Sequence, residues 1–271
     1  MRYAKRDRMR FASHRDIARA LERAVRRAQV PIAFSGGFSP HPKISYTGAA
    51  PTGVASEAEY MELTLAEPCD AEQVRTRLND AMPTGVDIVE VVPAAQDGLA
   101  DRLEASEWEV RLSGVAPADA EAAVAAFYAA DFVEVERSTK KGRRRFDTRA
   151  AVVHLKVDGR AKTERHEGHV ILRMVVRHTT PAVRPDDVVT GLRHVAGFAP
   201  PSPPLVTRLA QGPLDETTGE IADPFAAETA APRRAENGRA ESTAPAEPTA
   251  PAEPAERPPR SSAPTRSTPD V

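Results

Sequence analysis

Hydrophobic positions along the first 92 residues fall at two spacings. Apolar residues that alternate with polar ones predict strands, because successive side chains of a strand point to opposite faces; the predicted strands are residues 2–11, 32–34, 60–65 and 86–92. Spacings of three and four predict two amphipathic helices, whose apolar faces are Ile17, Leu21, Ala24, Val25 and Ala28 in the first and Ala71, Val74 and Leu78 in the second. The order strand–helix–strand–strand–helix–strand predicts a ferredoxin-like domain over residues 1–95.

A second unit with a similar pattern follows. Strands are predicted at residues 108–112, 132–136, 151–157 and 169–177, with a polar turn over residues 158–168 between the last two. Helices are predicted around residues 120–128 and 188–195, and Gly197 would end the second of them. We therefore predict an α+β fold of two ferredoxin-like domains in tandem, the second over residues 105–211.

The last part of the chain has a different composition. Residues 212–271 are rich in Pro, Ala, Glu, Thr and Ser, and their only aromatic residue is Phe225. A segment with so few apolar residues cannot bury enough surface to offset the entropy lost on ordering. We predict that residues 212–271 form a tail, disordered and of polyproline II character from about residue 226 onward.

Charge is distributed unevenly along the chain. The net charge is −2, yet residues 1–50 contain eleven Lys and Arg against three acidic residues. Such asymmetry points to a polyanionic partner for the basic end.

Several classes of protein are disfavoured by what the sequence lacks. Cys69 is the only cysteine, so we expect neither an internal disulfide nor an iron–sulfur cluster held by this chain alone. The N-terminus has no apolar signal region, and no stretch approaches the length of a membrane span, so we expect a cytoplasmic protein without a membrane partner. Phosphate-loop, dinucleotide-binding and zinc-binding motifs are absent, so we expect no cofactor or metal and lean against an enzyme.

Basic residues gather on the polar side of the first helix and in a segment of the second unit, residues 140–149. A row of guanidinium groups at helical spacing can follow a phosphate backbone; the alternative is a solvated basic face. The side chains predicted to contact nucleic acid are Lys5, Arg6, Arg10, Arg15, Arg19, Arg23, Arg26, Phe38, Lys43, Lys140, Lys141, Arg143, Arg144 and Arg145.

Two further segments could carry chemistry. At the start of the first helix, Ser13 and Asp16 fit a helix cap, whereas His14 could bind phosphate, transfer a proton or be a neutral surface residue. The Gly- and Pro-rich loop of residues 35–43 presents Phe38, an aromatic that could stack on a nucleic-acid base or plug the core beneath the loop. Each of these alternatives is compatible with the sequence.

Four segments together carry a family resemblance: RYAKRDRMRF, SHRDIARALERAVRRAQVP, GFSPHPKISY and APTGVASEAEYMEL. In this order they resemble the N-terminal signature of the radical SAM-linked protein family, a domain-of-unknown-function family, over roughly residues 1–210. The resemblance implies a radical SAM enzyme as partner; because this chain lacks the Cys-x3-Cys-x2-Cys triad, the radical chemistry would reside on a separate chain. The motif positions of the family fall on Ser13, His14, Asp16, Gly37, Phe38, Pro40, His41, Pro42, Lys43, Gly53, Glu59 and Tyr60.

Three functions are compatible with these patterns. The first is a non-catalytic accessory protein of a radical SAM enzyme that binds structured RNA through its basic N-terminal face. The second is a metal-independent endoribonuclease in which His14 or His41 assists attack by a 2′-hydroxyl. The third is a protein–protein scaffold whose basic face meets an acidic partner.

Overall fold

A large mixed sheet dominates the computed structural model, which describes residues 1–94, 98–139, 142–163 and 166–230. The strands in these residues are β1 (Arg2–Lys5), β2 (Ile44–Thr47), β3 (Ala55–Leu63), β4 (Val86–Glu90), β5 (Ala105–Ser113), β6 (Glu134–Thr139), β7 (Gly142–Asp147), β8 (Val152–Thr163), β9 (His166–Arg177) and β10 (Leu205–Gly212). The α-helices are α1 (His14–Arg27), α2 (Ala71–Ala81), α3 (Pro117–Ala129), α4 (Pro185–Ala196) and α5 (Ala226–Ala230). The α+β class is confirmed.

Eight strands form this sheet, in the order β4-β1-β3-β10-β5-β9-β8, with β2 paired to β3. One edge of β3 pairs with two different strands: its C-terminal half with β2, and its N-terminal end with β10, through Ala55↔Thr207 and Ser56↔Arg208. Strand β10, which the sequence pattern did not predict, also pairs with β5. The two predicted domains therefore share one sheet, and β10 joins them.

Each half of the sheet has its own core on the side of the helices. Tyr3, Leu21, Met61, Leu78 and Ile88 belong to the core beneath α1 and α2. A second core, beneath α3 and α4, includes Trp108, Leu112, Phe127, Leu172 and Leu192. The helix faces predicted from apolar spacing thus pack as expected, since burial of such a face is the main source of stability for a short helix.

The opposite face of the sheet is covered by residues 213–230, part of the predicted tail. Phe225 is buried against Tyr60 and Leu99, and Leu214 packs against Val175. The prediction of a tail starting at residue 212 is therefore wrong up to residue 230, because a few apolar residues at the right places suffice to anchor a segment on an open sheet face. The predicted disorder beyond that point concerns residues outside the described part of the chain.

Several element boundaries differ from prediction. The first strand ends at Lys5 rather than residue 11, because Asp7 has a φ of 47° and a 3₁₀ helix follows over Asp7–Phe11. Residues 32–34 form isolated bridges, Ile32↔Leu65 and Phe34↔Pro42, instead of a strand. Most of the polar turn predicted over residues 158–168 belongs to strands, since β8 extends to Thr163 and β9 begins at His166. Gly197, with a φ of 65°, ends α4 as predicted.

No helix within the described ranges is long and apolar enough to cross a membrane.

Candidate nucleic-acid interface

The outer face of α1 carries a row of exposed arginines. Arg15, Arg19 and Arg23 follow one another at intervals of four residues, so they lie on one side of the helix, opposite the buried Ile17, Leu21 and Val25. Within the part of the chain that the structure describes, these three form no ion pair.

Arg26, also predicted to contact nucleic acid, is exposed near the end of the same helix. Its guanidinium lies 3.8 Å from the Glu22 carboxylate, a distance that makes a weak, solvent-screened pair. Its positive charge is therefore partly offset.

Three other cations that were predicted to contact nucleic acid, Lys5, Arg6 and Arg10, lie outside the row on α1. The Lys5 side chain is buried, its Nζ donates to the carbonyls of Ala50 and Pro51, and burial lowers its pKa. Arg10 donates from Nε to the Gly53 carbonyl at 2.9 Å and from Nη2 to the Val206 carbonyl at 3.0 Å.

Arg6, close to Arg10 in the sequence, pairs with Glu57 and, at 2.7 Å, with Asp87. Lys5 and Arg10 therefore bind backbone carbonyls, and Arg6 binds carboxylates. None of the three belongs to the exposed row.

The start of α1 is a capping box, as predicted. Ser13 Oγ accepts a hydrogen bond from the Asp16 backbone N–H, and Asp16 Oδ2 accepts from the Ser13 N–H at 3.1 Å and from its hydroxyl at 2.7 Å. The hydrogen bond from the Ser13 hydroxyl holds the pKa of Asp16 below its usual range. Both side chains are thus occupied with the helix terminus.

His14 is exposed at the first position of the helix, and its ring meets Tyr46 of β2 edge-on, with centroids 4.7 Å apart. His41 is also exposed, and only its backbone takes part in hydrogen bonds with Ser35. Within the described ranges, neither imidazole is hydrogen-bonded to a group that would orient it for proton transfer. The structure does not assign either residue a catalytic role.

The loop of residues 35–43 projects Phe38 fully into solvent; its relative exposure is 105%. The alternative that Phe38 plugs the core is therefore wrong. Pro40 and Lys43 are exposed too, and Gly37 adopts a φ of 104°, a left-handed conformation that suits glycine.

The basic segment of the second half forms the β6–β7 hairpin, where carboxylates offset much of its charge. Arg145 pairs with Glu136 at 3.0 Å and with Glu134 at 3.7 Å, and Arg143 pairs with Glu136 at 3.2 Å. Of the three predicted arginines here, Arg144 alone forms no ion pair within the residues described. Lys140 and Lys141 lie outside the described residues.

Three of the family-motif residues support the junction between the two halves. Gly53, with a φ of 91°, belongs to the loop held by Arg10; Tyr60 is buried edge-on against Phe225, with centroids 5.3 Å apart. Glu59 is 2% exposed; one carboxylate oxygen accepts from the Ala50 N–H at 3.0 Å, and the other lies 3.4 Å from Nη2 of Arg208.

Sequence reasoning missed the partner of Glu59. Arg208 of β10 is 3% exposed, donates to the Gly48 carbonyl at 2.5 Å and lies 4.9 Å from the ring centroid of Trp108. Its neighbour Gln211 is also buried and donates to the Ala58 carbonyl at 2.7 Å. The only available signal was an isolated arginine among apolar residues ahead of a Pro-rich segment, and 149 positions separate it from Glu59.

The described ranges contain no group of three His, Cys, Asp or Glu side chains able to hold a metal ion.

A family model described as "Uncharacterized protein conserved in bacteria (DUF2344)" matches residues 1–185, which cover the first half and the second as far as the start of α4. No curated protein matches the chain.

Proposed function

We infer that this chain, which belongs to the DUF2344 family of uncharacterized proteins conserved in bacteria, binds structured RNA through the exposed arginines of α1. The observation that carries the proposal is the row of Arg15, Arg19 and Arg23, three exposed guanidinium groups on one helix face that form no ion pair within the described residues. Guanidinium groups bond phosphate oxygens bidentately, and such contacts supply most of the affinity for a nucleic-acid backbone.

The charges in the sequence around Arg15, Arg19 and Arg23 also support RNA as the partner. From Arg23 to Ser56 the chain contains no acidic residue, while Arg26, Arg27 and Lys43 add positive charge. An acidic protein could also meet such a surface; affinity purification would recover it after ribonuclease treatment.

The RNA proposal is tested by reversing two charges of the row, Arg19→Glu with Arg23→Glu. We expect affinity for a transfer RNA, measured by fluorescence anisotropy at low salt, to fall at least tenfold. We also expect the slope of log K against log salt concentration, which is negative, to become less negative by roughly 1.5, because about two phosphate contacts are lost.

A control variant of equal charge change is Arg77→Glu with Arg193→Glu, exposed arginines on α2 and α4. This control should bind as the wild type does. Binding that is independent of salt, or that both double variants weaken equally, would contradict an interface on α1.

We propose further that the chain serves as an accessory to a radical SAM enzyme on a separate chain, which the resemblance of residues 1–65 supports. Affinity purification of the full chain from its native cells, with and without ribonuclease treatment, followed by mass spectrometry, tests this. Recovery of a radical SAM enzyme in either sample supports the partnership, and recovery that survives ribonuclease indicates direct contact between the proteins. Absence of such an enzyme from both samples would contradict the partnership.

We also propose that the scaffold consists of two ferredoxin-like units. In the first half the elements run β1-α1-β2-β3-α2-β4, with β4-β1-β3-β2 side by side. In the second half, β5-α3-β8-β9-α4-β10 give the order β10-β5-β9-β8, with the β6–β7 hairpin between α3 and β8. Both sequences of elements match the split βαβ pattern.

A further inference from the structure

The loop that carries Phe38 is held at its base by backbone contacts. Phe34 and Pro42 form an isolated antiparallel bridge. Just inside it, the Ser35 N–H donates to the His41 carbonyl at 2.8 Å, and the His41 N–H donates to Ser35 Oγ at 3.0 Å. Such a closed base reduces the entropy that a ligand must overcome to order the loop.

The loop follows α1 closely in the chain and leads into β2. Only six residues separate Arg27 from Phe34, and the Lys43 N–H donates to the Ala33 carbonyl at 2.9 Å, which fixes Lys43 at the foot of the loop. The base that carries the aromatic tip is therefore connected to the basic helix by a short segment of chain.

Phe38 at the tip is exposed in a way that folding does not explain. Burial of a phenylalanine contributes about 1.5–3 kcal/mol, and this ring gains none of it within the described part of the chain. Phe34, at the base of the loop, is also more than half exposed. Aromatic rings kept in solvent beside positive charge are a feature of surfaces that bind single-stranded nucleic acid.

The protruding ring of Phe38 limits the kinds of RNA that the loop can bind by stacking. A base within a duplex is covered by neighbours on both faces, so only an unpaired or terminal base can stack on a protruding ring. Lys43 and the arginines of α1 can meanwhile take the phosphates on either side of that base.

We propose that the element bound here is an unpaired nucleotide next to a stem, with its base stacked on Phe38 and the stem backbone held by α1. This rests on the RNA-binding function proposed above. It adds that the protein selects RNAs with a single-stranded end or bulge over fully paired ones.

The test compares two RNAs, a blunt stem and the same stem with a short single-stranded overhang, by fluorescence anisotropy. We expect wild-type protein to prefer the overhang, and Phe38→Ala to weaken binding of the overhang RNA about fivefold or more while leaving the blunt stem unchanged. Phe38→Trp should retain the preference, since its larger ring also stacks.

Phe132→Ala is the matched control, because Phe132 is 60% exposed but lies in the second half. It should bind both RNAs as the wild type does. Equal binding of the overhang RNA by wild type and Phe38→Ala would overturn the stacking proposal; if Arg19→Glu with Arg23→Glu still reduced affinity, the RNA-binding function would stand without it. If wild type binds neither RNA, both proposals fall; a protein partner lost in Phe38→Ala would then identify the loop as a protein-binding site.

Discussion

Charged residues of this chain serve two different purposes that their positions in the sequence do not reveal. Lys5 and Arg10 come from the same basic N-terminal segment as Arg19 and Arg23, yet they hold the carbonyls of residues 50–53. A buried cation is tolerated only when carbonyls or carboxylates replace its water, and here the loop and Glu59 do so. Tertiary contacts therefore determine which of these cations support the fold and which are exposed to solvent.

The buried carboxylate of Glu59 should be essential to stability. Glu59→Gln removes the negative charge that faces Arg208 and, more distantly, Lys5, and leaves both cations buried without a counter-charge. We expect the free energy of unfolding, measured by urea denaturation, to fall by about 3–5 kcal/mol.

Glu57→Gln is the control for this prediction, because Glu57 lies on the same strand as Glu59 but pairs with Arg6 at the surface. We expect it to cost about 1 kcal/mol or less. If the two variants were equally stable, the buried pair would not be a principal support of the junction.

At the scale of elements, local sequence predicted the ends of an element correctly where those ends depend on the element's own residues. The capping box of Ser13 and Asp16 and the left-handed Gly197 mark helix ends through contacts within a turn, so the sequence predicts both. Strand limits depend on a partner strand, and here prediction was less successful. Strand β1 stops where Asp7 turns the backbone into a 3₁₀ helix, although the apolar alternation continues to Phe11.

Local sequence was also a poor guide to the charge of the β6–β7 hairpin. Arg143, Arg144 and Arg145 form a basic run along the chain, but cross-strand pairing sets Arg145 opposite Glu136. Neighbouring carboxylates from another strand therefore offset a charge that looks isolated in the sequence. Helix α1 carries two acids, but Asp16 caps the helix start and Glu22 pairs with Arg26, so the outer face keeps its basic character.

For the molecule as a whole, the segment after α4 completes the fold. Strand β10 joins β3 to β5, and residues 213–230 cover the sheet face that the helices leave open. Near the end of this segment, Glu228 forms an ion pair with Arg102 at 2.8 Å.

Removal of this cover should destabilise the whole chain. We expect Phe225→Ala to lower the free energy of unfolding by about 3–5 kcal/mol, since the ring is fully buried against Tyr60 and Leu99. A chain that ends at residue 212 should lose at least as much, measured as a lower Tm by calorimetry. A chain that ends at residue 230 keeps all the described contacts and should keep the wild-type Tm; a lower value would contradict residue 230 as the end of the segment needed for stability.

The sequence by itself determined the α+β class, the buried faces of the helices and the basic outer face of α1, because each depends on spacings within about ten residues. Tertiary structure alone decided that one sheet spans both halves, that Arg208 meets Glu59, and that Phe38 stands in solvent while Phe225 is buried. The physical reason is that sheet pairing and burial join residues far apart in the chain. A phenylalanine or an arginine has the same local pattern whether its partner is water, a strand or a carboxylate 149 positions away.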